Sequence, residues 1–267
     1  MDKNKRYLGI FISGDNIYLS GLVNEGDAVL TYYLRSEKAD NEEEVISLLN
    51  KIYQEDKEFF ENAVVNINIP NPDLLRIVPF EDGILDDEKI VEWEIENFLP
   101  NKEDFYYNFV KYKDSLLLGA IKKKKAKDFI QKIDFKVDGI DMGILGLFNA
   151  FQFSYLELNN VVLGFFDSSF CYYLFIGEND FIDYKIEPYT QDYINNFSLF
   201  ISLVKDKISQ LNNIIVAGEN NLVEDLINSN SDYEKFNFGN ITMEILDDND
   251  PIRYVISLGF ALKYIEL

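Results

Sequence analysis

Carboxylates are the side chains with which this sequence could do chemistry, because imidazole is missing and thiol nearly so. Its 267 residues include no histidine and one cysteine, Cys171. Serine–histidine and cysteine–histidine nucleophile pairs and histidine metal sites are therefore excluded, and acid–base work falls to Asp, Glu, Lys or Tyr. Two acidic runs stand out, Glu92/Glu94/Glu96 and Asp247/Asp248/Asp250. Neither has the glycine and closing glutamate of a calcium loop, and neither marks a glycosidase pair, so both read as surface charge. Lys122 to Lys125 form the one basic cluster, which reads as the solvated start of a helix rather than a phosphate or lipid site. No nucleophile motif, zinc spacing or dinucleotide fingerprint occurs. Cys171 reads as a buried strand residue.

With catalytic groups so sparse, recognition is the stronger theme, and it centres on Trp93, the only tryptophan. It lies in VEWEIENFLP, a helix expected from about Asp87 to Phe98, with Asp86 and Asp87 as caps and Pro100 as its stop. At about 100° per residue, Val91, Ile95 and Phe98 form one stripe, while Ile90 and Trp93 fall together on another side. One reading buries both stripes between two layers. The other makes Trp93 the anchor of a groove for another protein.

Composition narrows the partners. A net charge of −22 with pI near 4.3 argues against nucleic acid and against an anionic membrane surface. A single cysteine excludes an intramolecular disulfide and fits a reducing compartment. The start, MDKNKRYLGIFI, lacks the pattern of a signal peptide. The apolar runs Gly143 to Leu158 and Val161 to Phe181 are too short, or too broken by Asn149, Gln152 and Asp167, to span a membrane.

The elements that must position these residues follow a repeating order. Three strands (Tyr7 to Ile12, Asn16 to Val23, Ala28 to Leu34) joined by SGDN and NEGD precede a helix capped by Asp40 or Asn41 and running to about Tyr53, with Val45, Leu48, Leu49 and Ile52 inward. Strands Ala63 to Ile69 and Leu74 to Val78 come next. Then follow the Trp93 helix, strands Phe105 to Tyr112 and Leu116 to Ile121, a helix from Ala126 to Ile133 and a strand from Phe135 to Asp138. An apolar helix, Gly143 to Leu158, leads to a second three-strand set: Val161 to Phe166, Cys171 to Ile176 and Phe181 to Ile186. The remainder reads as a helix from Asp192 to Ser209, a strand from Asn213 to Val216, a helix from Asn221 to Asn228, a strand from Ile241 to Ile245 and a closing helix from Pro251 to Tyr264. Two halves that each open on a three-strand meander form a weak internal repeat.

That order resembles the actin and sugar-kinase superfamily, and within it the PilM family of type IV pilus assembly proteins. The resemblance is carried by YLGIFISGDNIYL, LLRIVPF, EWEIENFLPNKEDFYYNFVKY, LLLGAIKKKKAKDFIQKI, VDGIDMGILGLFNAF, IIVAGENNLVEDL and ISLGFALKYIEL, in order along nearly the whole chain. It implies an α/β, actin-like (ribonuclease H-like) two-lobed fold with a small inserted α+β subdomain. The first lobe would be 1–78 with 140–158, the insert 79–139, and a reduced second lobe 159–267. It implies a cytoplasmic protein, peripheral at the membrane through a partner: the N-terminal cytoplasmic peptide of a PilN-like inner-membrane protein, received beside Ile90, Trp93, Glu94 and Phe98. Pilus motor or platform proteins are further partners, and a type II secretion platform is the alternative setting.

The same resemblance locates a degenerate nucleotide site at Ser13, Asp15, Asp167, Ser168 and Gly218. Where family members that bind ATP carry magnesium-facing aspartates, this chain has Phe11 and Phe165, and Glu219 follows Gly218 at the adenosine turn. New carboxylates facing an anionic ligand are repulsive, and apolar rings hold no metal. The expectation is a non-catalytic scaffold without cofactor; the alternative is a protein that binds ATP and magnesium and uses them to gate its partner.

Overall fold

The structure, a computed structural model, describes residues 5–25, 28–80, 87–99, 101–155, 159–208, 210–239, 241–243 and 251–265. Strands β1 (Arg6–Ser13), β2 (Asn16–Asn24) and β3 (Val29–Lys38) open the chain as an antiparallel meander. The Asn41 side-chain oxygen caps the turn that follows by accepting from the amides of Glu43 and Glu44, and α1 (Val45–Glu55) begins there. A short α2 (Lys57–Phe60) precedes β4 (Ala63–Asn68) and β5 (Leu74–Pro79). Then come α3 (Asp87–Phe98), β6 (Phe105–Tyr112), β7 (Ser115–Lys122), α4 (Lys123–Ile130), β8 (Gly139–Asp141) and α5 (Gly143–Ser154). The second half comprises β9 (Val161–Phe166), β10 (Phe170–Ile176), β11 (Phe181–Pro188), α6 (Tyr193–Lys205), β12 (Asn213–Gly218), α7 (Asn220–Ser229), β13 (Tyr233–Lys235), β14 (Ile241–Thr242) and α8 (Val255–Leu262).

The repeat expected from sequence is present in the strand pairing. One sheet runs β14-β3-β2-β1-β4-β8 and the other β11-β10-β9-β12-β13, so each half lays a meander beside a parallel fourth strand. Alternation sorts β1: Leu8, Ile10 and Ile12 face α1, with Val45, Leu49 and Ile52, while Tyr7 and Phe11 face the space between the sheets. Helices α5 and α8 fill that space, which is why α8 is buried along its whole length and α5 everywhere except at Asn149, Gln152 and Ser154. Their backbones touch: a β-carbon on Gly259 would lie 1.8 Å from the Gly146 carbonyl oxygen. Only glycine permits that approach.

Several expectations change in three dimensions. Leu74 to Val78 is not part of the first lobe's sheet, because β5 pairs with β7 in a separate sheet, β5-β7-β6, and the inserted unit therefore starts at Leu74 rather than Pro79. Phe135 to Asp138 is not a strand: Phe135 packs against Tyr53 and Phe60, so its bulk serves a helix layer, and pairing with β4 is made by β8. Helix α4 begins earlier than Ala126, with Lys122 ending β7 and its amide donating to Asp73 at 2.8 Å. The second lobe does not keep residues 159–267 to itself. β14 pairs with β3 of the first sheet, and α8 lies on β1 and β2, where Ser257 and Ser20 hydroxyls meet at 2.6 Å. Asn66 and Asn68, which alternate with the apolar residues of β4, are buried too, since α8 covers Asn66 and Asn68 bonds both the amide and the carbonyl of Ile12. The caps and stop assigned to Asp86 and Pro100, the run Asp247/Asp248/Asp250, and the far ends assigned at Leu158, Ser209 and Ile245 lie outside the described residues.

Candidate functional site

Two places gather the residues singled out from sequence: the space where the two meanders meet, and the outer surface of the inserted unit. In the first, the internal repeat brings matched residues together. Phe11 sits opposite Tyr18 on β2, and Phe165 sits opposite Tyr172 on β10. These four rings form one cluster, with Phe11 to Phe165 at 5.7 Å, Phe11 to Tyr172 at 5.7 Å and Tyr18 to Phe165 at 6.3 Å between centroids. All four are buried, so the cluster is a welded contact between halves rather than a cavity.

Directly above it, the β1–β2 and β9–β10 turns are bonded to each other. Ser169 Oγ donates to Asp15 Oδ1 at 3.0 Å, and Asn16 Nδ2 donates to the hydroxyls of Ser168 and Ser169, each at 3.1 Å. Gly14, at φ +59°, lies so close that a β-carbon there would be 2.6 Å from Ser169 Oγ. The β12 turn joins the arrangement. Glu219 Oε1 accepts from the amide and hydroxyl of Ser168, both at 2.9 Å, and the Glu219 amide donates to the Phe166 carbonyl. Gly218 holds φ +127° against that same carbonyl, a conformation and an approach that exclude other residues. Ser13, Asp15, Asp167, Ser168 and Gly218, the five residues grouped by the resemblance, thus lie together around these turns. Asn16, Ser169 and Tyr18 complete the group and were not singled out, although Ser169 stands within the DSSF turn itself.

Asp167 is the electrostatic centre of this region. Its Oδ1 accepts from the amides of Ser169 and Phe170 at 2.7 and 2.8 Å, while its Oδ2 and the adjacent Ser13 hydroxyl are both buried and, among the described residues, neither completes a well-formed hydrogen bond. Burial raises its carboxyl to about 7; the adjacent Ser13 hydroxyl and the two amides pull it down, and the Glu219 charge adds to the rise. Burial, together with the charges of Asp167 and Glu219, also raises the Tyr18 phenol.

Beside the turns opens a cleft of about 530 Å³, lined by Asn16, Tyr18, Lys38, Glu219, Asn221 and Arg253 among others. Lys38 approaches Asp15 at 3.5 Å, and Arg253 donates to Ser36 Oγ at 3.2 Å. The walls carry both signs of charge.

On the inserted unit, α3 lies on one face of the β5-β7-β6 sheet and buries Ile90, Val91, Ile95 and Leu99. Sequence spacing placed Phe98 on that stripe. The structure puts Leu99 there instead, and Phe98 is 46% exposed, stacked on the Arg76 guanidinium at 3.7 Å. Glu94 is not surface charge. It is buried and ion-paired with Arg76 at 3.1 Å. Nor do Ile90 and Trp93 share an environment: Ile90 is core, and Trp93 is 60% exposed. So Trp93 and Phe98 stand on the surface, Ile90 belongs to the core, and Glu94 is buried with Arg76, on which Phe98 stacks. Exposed Tyr106 and Tyr107 lie nearby in the chain on β6, which is an edge strand.

No family model matches the chain, and no curated protein matches it. Solved structures do. The fold is the actin-like one. A structure described as the "PilM-PilN type IV pilus biogenesis complex" aligns over 98% of this chain and 99% of its own, with TM-score 0.62 and 13% identity. A Bacteroides thetaiotaomicron protein of actin-like ATPase fold and unknown function aligns over 90% and 95%, with TM-score 0.56 and 13% identity. The cytoplasmic domain of EpsL, an inner-membrane component of the Vibrio cholerae type II secretion system, aligns over 95% and 94%, with TM-score 0.52 and 9% identity. Among the described residues no helix is long and apolar enough to cross a membrane.

Proposed function

We propose that this chain is a non-catalytic cytoplasmic scaffold of a type IV pilus assembly machine, peripheral at the membrane because it holds the N-terminal cytoplasmic peptide of a PilN-like partner. The observation that carries this reading is the exposed Trp93, set on a helix whose other face is core. An indole left in water on a helix packed against a sheet is a ready anchor for a peptide. The peptide either lies along α3 or adds to the open edge of β6. The overall likeness to a PilM-PilN complex supports the partner class.

The non-catalytic half of the reading rests on the turns. A magnesium-bound triphosphate needs carboxylates facing the metal and free amides facing the phosphates. By the resemblance Phe11 and Phe165 stand at the two carboxylate positions, and the Ser168 and Ser169 amides are already bonded to Glu219 and Asp167. That donor set does not fit the ligand. One observation favours the alternative of an ATP-gated protein, namely the cleft with Lys38 and Arg253 in its wall. The likeness to EpsL supports a type II secretion platform as the alternative setting.

Because Trp93 is the only tryptophan, its fluorescence tests the proposal directly. Titration with the synthetic N-terminal peptide of a PilN-like membrane protein should shift its emission to the blue and saturate. An unchanged spectrum together with undetectable binding by calorimetry would sink the proposal.

A further inference from the structure

The inserted unit sorts its charges by face. Along β7, Leu116, Leu118 and Ala120 pack under α3, while Ile121 packs with Ala126 of α4 on the opposite side of the sheet. The lysines of α4 therefore sit across the sheet from α3, and of that cluster only Lys122, which ends β7 opposite Phe105, alternates onto the α3 side. On α3 and the turn that joins it to β6, the exposed carboxylates of Glu88, Glu92, Glu96, Glu103 and Asp104 outnumber the two lysines, Lys89 and Lys102. Lys102 is already paired with Glu96.

The aromatic rings of the same unit show what they hold. Phe98 carries the Arg76 guanidinium at 3.7 Å, Tyr106 carries Lys123 at 5.5 Å and Phe80 carries Lys111 at 4.9 Å. Among the described residues no cation lies over Trp93, although indole is the best cation acceptor of the aromatic side chains. Glu92 precedes it in the chain, and Glu96 follows three residues on, at the spacing of neighbours on a helix surface.

Charge chooses among occupants of this face. An acidic segment is repelled both by the local carboxylates and by the chain's net charge of −22. A neutral apolar one gains from the ring alone. A basic one is attracted by all of these groups, and cytoplasmic segments beside a membrane span are the class in which Lys and Arg are in excess. We propose that the segment docking on α3 is basic, and that one of its lysine or arginine side chains lies over the Trp93 indole with Glu92 and Glu96 beside it. This rests on Trp93 being a peptide anchor, as proposed above, and names the chemistry that the anchor takes.

Calorimetry with two peptides tests it: the synthetic N-terminal peptide of a PilN-like membrane protein, and a copy with each arginine replaced by citrulline and each lysine by acetyl-lysine, which removes the charge. The neutral copy should bind at least about tenfold more weakly. Raising salt from about 0.05 to about 0.5 M should weaken the native peptide and leave the neutral copy nearly unchanged. Trp93→Leu keeps an apolar side chain but has no ring face, so most of the difference between the peptides should vanish, whereas Trp93→Phe should keep part of it. Glu92→Gln/Glu96→Gln should weaken the native peptide alone. Equal affinities for the two peptides, tighter binding of the native peptide in high salt, or full discrimination retained by Trp93→Leu would each overturn the assignment while leaving a peptide site on α3. Binding of neither peptide would instead remove the anchor itself, and this assignment with it.

Discussion

Phe11 and Phe165, from equivalent places in the two halves of the repeat, meet edge to face with their ring centroids 5.7 Å apart and neither exposed to solvent. Each is paired across its own hairpin with a tyrosine, Tyr18 or Tyr172, so the contact is a symmetric plug between the meanders. Phe11→Ala should cost about 3–5 kcal/mol in urea unfolding, as for a large buried ring. Phe11→Asp should cost at least as much and should create no response to magnesium nucleotide, because the opposite ring leaves no room for a hydrated ion.

Nucleotide itself provides a separate check. With the Ser168 and Ser169 amides already committed to Glu219 and Asp167, millimolar ATP with Mg²⁺ should leave the melting curve of the wild type unchanged. A bound ligand at a hundredfold excess over its dissociation constant would stabilise by about 2.7 kcal/mol, which is easily resolved. A shift of that size would establish the ATP-gated alternative.

Asp167 should impose a pH dependence of definite sign. Its folded-state carboxyl is raised to about 7 from an ordinary value of 3.8, so the native state binds more protons than the unfolded one between those limits. Stability from this group therefore falls as pH rises from about 4 to about 7 and is flat above. Asp167→Asn keeps the carbonyl that accepts from Ser169 and Phe170 and offers an amide to Ser13. The difference in melting temperature between variant and wild type should grow in the variant's favour across that interval. A constant difference from pH 4 to pH 8 would refute the assignment.

Trp93 and Glu94 are neighbours with opposite predicted effects. Trp93→Ala should change stability by no more than about 0.5 kcal/mol, since the ring is in water, yet weaken peptide binding by about 2 kcal/mol or more. Glu94→Ala should destabilise by about 1–2 kcal/mol, a figure kept low because Arg76 is 40% exposed and can be solvated when its partner is lost. Urea unfolding and fluorescence titration of the two variants separate these roles.

The crossing of α5 and α8 is a third kind of site. Gly259→Ala would drive a methyl group to within 1.8 Å of the Gly146 carbonyl oxygen, and backbone cannot give way as a side chain can. The expected cost is at least about 3 kcal/mol, or failure to fold, read from circular dichroism and melting.

How much of this was legible beforehand depends on the kind of signal. The meanders and their repeat were visible because alternation and turn residues are local properties, and β6 and β9 occupy the spans that their own bulk pattern suggested. The gathering of Ser13, Asp15, Asp167, Ser168 and Gly218 was legible only through resemblance, since 154 residues separate Asp15 from the Ser169 it bonds. Phe98 was misplaced because helical spacing cannot report that a guanidinium on another strand will stack on the ring. Glu94 read as solvent-facing for the same reason: its partner, Arg76, comes from β5.

By itself, then, the sequence determined the two meanders and most of the helices, that the two halves match, that no histidine or intramolecular disulfide chemistry is available, and that carboxylates are absent at positions 11 and 165. The tertiary structure alone decided that β5 joins the insert, that β14 and α8 cross to the first lobe, that the two turns bond each other, and that Trp93 faces water. The division follows from range. Period and turn chemistry act over a few residues and are written in order along the chain, whereas burial and ion pairing depend on which surface arrives opposite, and that is settled only when distant segments pack.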